Sequence, residues 1–450
     1  MAIKKIPARE FVARELRGAG DYFNRRSLPH LMDGLKTGQR KVISAALDMS
    51  AADKIKVSSL GARAVETKAY HHGDASLQDT IVRLAQQFPG SNNVSLLEPL
   101  GSFGTAKNKQ GSAPRYISTR LSKAFWQYFD KRDQKIVTPL YDDGEEIEPA
   151  FFIPMLPMIL INGASGPGTG YSSNILQYQP KELKRAILEL CKDGAIGKPL
   201  TPWLNGWKGK VVKDQTTGQV AFYGVVEVQT KTKLVVTEIP HSMDLIKYKT
   251  HLNKLIEKEI IKDYTNASGT GEWRIEIQVA RDFTEKNSPE KILDILGLIH
   301  RTTETIVCWG VDSTKPRVFN TAEELLVEWF TERIKLSGVA LNNLIEEEED
   351  ALIWLRIKRA FLAWWADNND EVVKLSKKEI QEKIVQEIVL LNEHPKYLTR
   401  LMDIKVFNLA SDEIEMLNHQ IIAKENDVAK LRGFSPASWY QTNLEGVGLA

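Results

Sequence analysis

A chain of 450 residues exceeds the size of one ordinary core, and its length predicts about three domains. Hydrophobic residues make up 42% of the chain and charged residues 26%, which excludes a disordered or fibrous protein. The longest apolar run, at 151–161, is too short to span a bilayer and contains two prolines, and the N-terminus has no apolar signal core. The isolated Cys191 and Cys308 indicate neither a disulfide framework nor a zinc site, so we expect a protein of the reducing cytoplasm, without a membrane partner.

Positive charge is concentrated in the first third of the chain. Residues 1–135 contain 23 Lys+Arg against 12 Asp+Glu, a net charge of +11, whereas the remaining residues contain 37 against 46, a net charge of −9. This segregation is typical of a polyanion-binding face on a larger scaffold. A solvated basic surface would carry the same charges, and charge alone does not separate the two interpretations.

The first two predicted segments are helical. Apolar residues at helical spacing predict a helical lead-in at 1–24. Short helices broken by loops follow at 25–150, including a helix at 77–85 and a glycine-bearing loop at 101–111. The loop leads directly to a proline, an arginine and a tyrosine.

The segment 151–315 mixes helical and extended patterns. It has predicted helices at 180–190 and 245–262 and predicted strands at 225–229, 234–239 and 272–280. An α+β domain is the simplest arrangement of these elements.

The last segment, 316–450, is predicted to be mostly helical. Thr321 resembles an N-cap followed by acidic residues in the first turn. The acidic run at 346–350 interrupts an apolar stripe, which argues against a perfect long coiled coil. With a second helical stretch at 377–391, the pattern predicts two long antiparallel helices around a small domain that begins at 403–409. The whole chain is thus predicted to be α+β and mostly helical.

Tyr116 is the candidate nucleophile. It follows a flexible polar loop that carries Lys107 and Lys109, and Arg115 directly precedes it. A phenol can attack phosphorus, and an adjacent guanidinium can bind the same phosphate. The alternative is a structural tyrosine, since an Arg-Tyr dipeptide by itself carries little information.

The pair His71-His72 precedes the predicted helix at 77–85. Near a helix N-terminus the helix dipole favours a neutral imidazole, which can accept a proton or donate a hydrogen bond. Adjacent residues do not share a helix face, and no third ligand stands at zinc-protease spacing, so a metal pair is disfavoured. A capping or core histidine remains the alternative.

A basic cluster follows the turn signal Asp33-Gly34. Lys36 and Arg40 are four residues apart and share one helical face, where they can meet a phosphate backbone. Lys41 and the preceding Arg26 can extend this face. A solvated basic helix fits the same residues equally well.

The glycine-rich run at 162–170 does not have the dinucleotide-binding spacing Gly-x-Gly-x-x-Gly, and no helix follows it directly. It is compatible with a backbone that approaches a nucleic-acid groove closely, or with a plain tight turn. The acidic stretch at 142–146 lacks the spacing of a metal loop and is interpreted as a solvated turn.

An ordered series of motifs runs through the first 250 residues: Leu28-Pro29, Asp33-Gly34-Leu35-Lys36, Tyr70-His71-His72-Gly73, Gly101-Ser102-Phe103-Gly104, Pro114-Arg115-Tyr116-Ile117, Ile153-Pro154-Met155-Leu156-Pro157, Gly168-Thr169-Gly170-Tyr171 and Thr237-Glu238-Ile239-Pro240. Taken together, the series resembles the breakage-reunion region of type IIA DNA topoisomerases. Tyr-His-His-Gly and Gly-Gln-Arg-Lys are more similar to eukaryotic and bacteriophage members than to gyrase. The resemblance implies a winged-helix (CAP-like) DNA-binding domain at 25–150, an α/β tower at 151–315, and a coiled coil with a dimerisation gate at 316–450.

The resemblance also implies residue roles. Tyr116 would form a 5′-phosphotyrosine link, with Arg115, His72 and Arg40 acting at the scissile phosphate. DNA contacts would come from Arg26, Lys36, Lys41, Lys68, His71, Lys107 and Lys109. Pro167 stands where the family usually has an isoleucine wedge between base pairs, and proline is itself a known wedge residue.

The resemblance further implies partners. The chain would form a homodimer through the C-terminal gate on double-stranded DNA. The 450 residues contain no Toprim motif, so we expect Mg²⁺ ligands and the ATP site on a separate ATPase/Toprim polypeptide of a heterotetramer or larger assembly, with no metal site on this chain. The expected activity is ATP-dependent relaxation and decatenation of DNA, as in bacteriophage members of the family.

Two alternative functions stay open. A tyrosine-recombinase-like strand transferase would need a His-x-x-Arg element, and none of the eight histidines has arginine at that spacing. A catalytically silent DNA-binding scaffold would leave the neighbourhood of Tyr116 unexplained.

Overall fold

A computed structural model describes residues 7–49, 53–214, 216–372, 374–404 and 411–448. The chain divides into two compact units, Met1–Arg333 with Leu444–Ala450, and Ile334–Asn443.

Helices dominate the first part of the chain. They are α1 (Ala8–Phe11), a π-helical turn (Val12–Leu16), α2 (Arg17–Ser27), α3 (Thr37–Leu47), α4 (Val57–Thr67), α5 (Asp74–Ala85), α6 (Lys123–Tyr128) and α7 (Lys131–Gln134). The strands are β1 (Ile55–Lys56), β2 (Leu97–Leu100) and β3 (Ser118–Leu121), which form an antiparallel sheet in the order β1-β3-β2, and the hairpin β4 (Pro139–Asp142) and β5 (Glu145–Pro149). The predicted helix at 77–85 is confirmed and begins earlier, at Asp74, while residues 1–6 of the predicted lead-in lie outside the described residues.

The apolar run at 151–161 is a core segment. Every residue in it is buried, and it ends in the short helix α8 (Met158–Ile161). The hairpin of β6 (Ala164–Pro167) and β7 (Ser172–Ile175) follows immediately, so the glycine-rich run is a hairpin anchored on the core. Among the described helices, none is long and apolar enough to cross a membrane.

The next part is a mixture of helices and antiparallel sheets. The helices are α9 (Pro180–Asp193), α10 (Leu245–Glu257), α11 (Phe283–Lys286) and α12 (Pro289–Ile295); the strands are β8 (Lys210–Lys213), β9 (Gln219–Tyr223), β10 (Val225–Thr230), β11 (Lys233–Glu238), β12 (Asp263–Asn266), β13 (Ile275–Gln278), β14 (Ile299–Thr303), β15 (Ile306–Trp309) and β16 (Pro316–Phe319). The sheet β10-β11-β13-β12 packs one face on α10, where Leu234, Ile277, Tyr248 and Leu252 are all buried. All three strands predicted here are confirmed, and the helix predicted at 245–262 ends at Glu257, because Glu259 has φ 53°. We call residues 225–296 the sheet domain.

The last elements are helical. They are α13 (Ala322–Val372), α14 (Lys377–Glu387), α15 (Val389–Glu393), a 3₁₀ turn (Pro395–Tyr397), α16 (Leu398–Met402), α17 (Ser411–Arg432) and α18 (Pro436–Glu445). The helix predicted at 377–391 is broken at Ile388, and 405–409 of the predicted small domain lie outside the described residues.

The acidic run at 346–350 does not interrupt the helix α13. Glu348 and Glu349 pair with Lys424 and Arg432 of α17, while Lys358, farther along α13, pairs with a residue nearer the start of α17. Later residues of one helix therefore meet earlier residues of the other, so α13 and α17 run antiparallel. The sequence predicts an antiparallel pair, but it places the second helix at 377–391 and assigns the helix after 403–409 to the small domain. The charges that break the apolar stripe are the groups that bind the second helix.

Candidate active site

Tyr116 stands at the surface on a turn with a fixed backbone. Its side chain is 78% exposed, the largest exposure among the 12 tyrosines. The turn closes with a hydrogen bond from the Tyr116 N–H to the Ala113 carbonyl (2.9 Å). The next residue, Ile117, is buried, and its carbonyl accepts from the Val57 N–H at the start of α4 (3.1 Å). The geometry thus presents a phenol to a large substrate from an ordered backbone.

Arg115 lies beside Tyr116 on the same turn. The centre of its guanidinium is 6.0 Å from the centroid of the Tyr116 ring, and its side chain is also exposed. A phosphate at this surface can therefore meet the phenol oxygen and the guanidinium together.

A groove of about 1100 Å³ opens next to this turn. Its basic and imidazole lining groups come from the α2, α3 and α5 regions and from the loop before Tyr116: Arg26, Lys36, Lys41, His71, His72, Arg83 and Lys109. Cations collected in one concave surface create a positive potential that attracts phosphates.

His72 is held by two aromatic neighbours. Its Nε2 lies 3.3 Å from the Tyr22 hydroxyl, and its ring meets the edge of the Tyr70 ring at a centroid distance of 5.4 Å. Desolvation lowers the pKa of His72, and the positive charges of Arg26 and His71 lower it further. The neutral imidazole expected from the sequence is therefore favoured at neutral pH.

His71 points away from its neighbour. Its Nε2 lies 3.4 Å from Asp142 Oδ2 at the exposed turn between β4 and β5. That turn has Asp143 at φ 47° and Gly144 at φ 85°, as a two-residue hairpin requires. Among the described residues, no group of three or more His, Cys, Asp or Glu side chains is placed to hold a metal ion.

Arg40 does not lie on a solvent-exposed helical face, in contrast to the prediction. Its guanidinium is buried and donates to Asp33 through Nε (2.9 Å) and Nη2 (3.2 Å), and also to the Leu35 carbonyl (3.1 Å). The side chain turns inward because the fully buried Asp33 carboxylate needs a counter-charge. The Nε and Nη2 donors of Arg40 are thus used inside this chain.

Lys41 and Lys68 are also buried, in contrast to their prediction as DNA contacts. Lys41 Nζ donates to the Lys68 carbonyl and to Glu148 Oε2 (2.7 Å), and Lys68 Nζ pairs with Asp48 (2.8 Å). These groups join α3, the end of α4 and strand β5. Their charges are used in ion pairs that hold these elements together.

Lys36 holds the β6–β7 hairpin. Its Nζ donates to the Ser165 carbonyl (2.7 Å), and burial, then the nearby Arg83, lowers its pKa. Gly166 fits closely here, because a Cβ on it would lie 2.5 Å from the Ser27 carbonyl oxygen and 2.8 Å from Lys36 Nζ. Of the two interpretations of the glycine-rich run, close backbone approach describes it, and the backbone packs against this chain's own α2 and α3.

The hairpin tip is clamped by one amide. Asn24 Oδ1 accepts from the Thr169 N–H (2.7 Å), and Asn24 Nδ2 donates to the Thr169 carbonyl (3.1 Å). Asn24 itself is buried, and its carbonyl accepts from the indole N–H of Trp309 (3.1 Å). Pro167, next to the tip, is exposed.

Lys107 and Lys109, predicted to contact DNA, are directed at backbone carbonyls of the sheet domain. Lys107 Nζ donates to the Gly269 carbonyl, and Lys109 Nζ donates to the His241 carbonyl (2.7 Å). Burial, followed by the charge of Lys247, lowers the pKa of Lys109.

Sequence reasoning missed the residues that hold the site in place. Asn24 and Tyr22 belong to a predicted helix with no feature that distinguishes them, and their partners lie far away in the sequence. The sequence marks Asp33 only as part of a turn signal and of a family motif. The clue available in the sequence was one acid, Asp33, among several basic residues, because such a cluster of like charges needs a partner of opposite charge.

These features define a protein with a nucleophile candidate and a basic groove on a helix-rich α+β fold. The family model for the A-subunits of DNA gyrase and topoisomerase IV matches residues 26–444, and the chain belongs to that family. The predicted type IIA resemblance and the predicted α+β class are thereby confirmed.

Individual relatives agree. DNA topoisomerase 2 of Penicillium chrysogenum is 30% identical over 99% of this chain and 30% of the relative, and the mitochondrial DNA topoisomerase 2 of Dictyostelium discoideum is 27% identical over 99% of this chain and 35% of the relative. The chain thus spans about a third of the length of these curated relatives. The crystal structure of the Plasmodium falciparum topoisomerase II DNA-binding, cleavage and re-ligation domain superposes with a TM-score of 0.85 at 29% identity, over 97% of this chain and 63% of that chain.

Proposed function

We propose that this chain cleaves and rejoins both strands of DNA through Tyr116, as the breakage-reunion part of a type IIA topoisomerase. The observation that carries the proposal is the exposed phenol on an ordered turn, with Arg115 beside it and a basic groove alongside. The family membership supports the same function.

The proposed step balances without a cofactor. The Tyr116 oxygen attacks phosphorus and loses its proton, a Tyr–O–P bond forms to the 5′ phosphate, and the P–O3′ bond breaks to leave a protonated 3′-hydroxyl. Arg115 stabilises the negative charge on the non-bridging oxygens. The neutral His72 either donates a hydrogen bond to the same phosphate or accepts a proton beside it. Rejoining reverses the step, because the phosphotyrosine ester retains the energy of the broken bond. We propose that Arg40 acts indirectly in this site. It holds Asp33, which in turn binds the backbone N–H groups of Leu35 and Phe152.

The hairpin tip is proposed to bend the bound duplex. Pro167 is exposed on a hairpin whose backbone is fixed by Lys36 and Asn24, so it can insert between base pairs from a rigid support. In the Pro167→Ala protein we expect weaker bending, measured by energy transfer between dyes at the two ends of a duplex. Bending and cleavage equal to those of the parent would show that Pro167 is not the wedge.

We further propose the assembly implied by the family. Ile334–Asn443 would provide the dimerisation gate, and residues 25–150 and 151–315 would be the winged-helix and tower domains. Mg²⁺ and ATP would be bound by an ATPase/Toprim polypeptide outside these 450 residues, giving a heterotetramer or larger assembly that relaxes and decatenates DNA. The medium subunit of the T-even bacteriophage enzyme, acting in an infected bacterial cell, is the member of this family that we propose as the nearest counterpart.

The test mixes the chain with supercoiled plasmid, Mg²⁺ and the ATPase/Toprim polypeptide of its source, followed by detergent and protease. We expect linear DNA with protein on its 5′ ends, and a peptide containing Tyr116 that carries a nucleotide by mass spectrometry. Tyr116→Phe should abolish both products, whereas the matched control Tyr141→Phe, at another exposed tyrosine, should not.

Each other outcome points to a different function. Cleavage that persists in Tyr116→Phe would move the nucleophile to another residue. Protein on 3′ ends would favour a recombinase-like strand transferase. DNA binding without cleavage by the parent, with partner binding verified, would favour the silent scaffold.

A further inference from the structure

The loop at 101–112, which leads to Tyr116, is attached to a second part of the chain. We call it the docking loop. Ala106 at its tip packs against the core of the sheet domain, beside the residues of α10 and its sheet. The Lys107 carbonyl accepts from the Leu245 N–H at the first residue of α10 (3.1 Å). A loop that the sequence predicts to be flexible is thus joined to the sheet domain by backbone and side-chain contacts.

The two lysines of the docking loop complete this attachment. Lys107 Nζ donates to the Gly269 carbonyl and lies 5.7 Å from the centroid of the Trp273 ring. Lys109 Nζ donates to the His241 carbonyl (2.7 Å). Both ammonium groups are therefore directed at the backbone, and each uses one of its three N–H donors on a carbonyl of the sheet domain.

The other end of the docking loop is fixed near Tyr116. Gln86 Nε2 donates to the carbonyls of Phe103 (2.8 Å) and Lys109 (2.9 Å), so one side chain ties both arms of the loop. Gly104 has φ 92°, and a Cβ there would lie 2.8 Å from the Lys109 carbonyl oxygen, which makes the turn specific for glycine. The Ser112 N–H closes the loop onto the Ser102 carbonyl (2.9 Å). These contacts connect the tip of the loop to the segment that leads to residue 116.

We propose that Lys107 and Lys109 are positioning residues that couple the sheet domain to the Tyr116 turn, rather than DNA contacts. When the sheet domain is in the position seen here, the docking loop holds the turn in its ordered form. When the sheet domain moves, the lysine contacts pull on the loop, so the readiness of Tyr116 to cleave depends on where that domain lies. This inference rests on the proposed cleavage function and adds a positional control to it.

Salt dependence separates this inference from a DNA-contact role. A lysine that neutralises a phosphate releases counterions, so its loss lowers the slope of log affinity against log salt by about 0.9. We would compare the double variant Lys107→Met/Lys109→Met with Lys192→Met/Lys198→Met, which removes the same charge from another exposed region. A labelled duplex and fluorescence anisotropy measure the slope with the chain alone. We expect both doubles to keep the parent slope, and a slope lower by about 1.8 only in the first double would overturn the inference.

Hydrogen exchange measures the docking directly. In the first double variant we expect peptides spanning 101–112 and 241–250 to exchange about thirtyfold faster than in the parent, because two hydrogen bonds to the backbone are lost. Peptides from α13 should be unchanged, which shows that the fold persists. Lys107→Arg/Lys109→Arg keeps the donors and should restore protection.

Cleavage in the reconstituted assay completes the test. At saturating DNA we expect the methionine double variant to cleave at least about tenfold more slowly than the parent, and the arginine double variant to recover. Faster exchange with parental cleavage would overturn the coupling while leaving the proposed function intact. A parent that does not cleave would instead remove the proposed function and the coupling with it, and exchange would then report only on docking.

Discussion

Replacement of Asp33 by asparagine measures what the ion pair behind the site contributes to stability. The Asp33 carboxylate is fully buried and accepts four hydrogen bonds: two from Arg40 (2.9 and 3.2 Å), one from the Leu35 N–H (2.9 Å) and one from the Phe152 N–H (2.9 Å). Asparagine has the shape of aspartate but no charge. Its NH₂ group would face the N–H donors that bind the Asp33 carboxylate. Because the buried Arg40 then lacks a counter-charge, we expect a loss of about 3–5 kcal/mol in the free energy of unfolding.

Urea unfolding followed by tryptophan fluorescence is the assay. Trp329 reports on this region, since its indole N–H donates to the Met32 carbonyl (3.0 Å). With a slope of about 3 kcal/mol per M urea, the midpoint of the transition should fall by about 1 to 1.7 M. Asp294→Asn is the control, because its ion pairs with Lys291 and Arg301 are about half exposed and should contribute less than about 1 kcal/mol.

A midpoint for Asp33→Asn within about 0.3 M of the parent would refute the reasoning, since that is the size of a surface effect. If the variant is as stable as the parent but cleaves DNA poorly, the result would favour direct contact of Arg40 with the scissile phosphate, as the sequence predicts.

Three further changes follow from the same contacts. Asn24→Ala removes both hydrogen bonds to Thr169 and should lower the bent-to-straight equilibrium of bound DNA about tenfold in energy-transfer measurements, and unchanged bending would contradict the clamp. Tyr22→Phe removes the hydroxyl next to His72 and should slow cleavage about fivefold at constant DNA affinity in quenched time courses, a result that equal rates would exclude. Burial lowers the pKa of His30 to about 4, so the unfolded chain takes up this proton below about pH 6.5 while the folded chain resists it until about pH 4. Stability should therefore decrease as pH falls through this window, by about 3 kcal/mol from this residue, and His30→Asn should remove that part of the pH dependence in urea titrations; an unchanged slope would argue against a neutral buried imidazole.

Much of the local structure could be predicted from the sequence. Helical spacing located α5 and the long helix α13, and alternation located the strands of the sheet domain, because these patterns reflect which face of an element is buried. Errors fell at element ends, such as the break at Ile388. The candidate nucleophile Tyr116 was also found from its sequence neighbours, since the dipeptide, the preceding loop and the family motifs are all contiguous in the chain.

The destinations of the charged side chains were decided only by the tertiary structure. The sequence by itself determined that basic residues are concentrated before residue 135, that Tyr116 follows a polar loop, and that the chain carries the motifs of its family. It did not determine that Arg40, Lys41, Lys107 and Lys109 would bind acids and carbonyls of this chain. Nor did it determine that Lys41 and Lys109 would line the groove together with Arg26 and His72, with Arg115 on the adjacent turn. The physical reason is that a flexible cation takes the partner that its fold brings within about 3 Å, and the partners of the first four residues lie up to 162 residues away in the sequence.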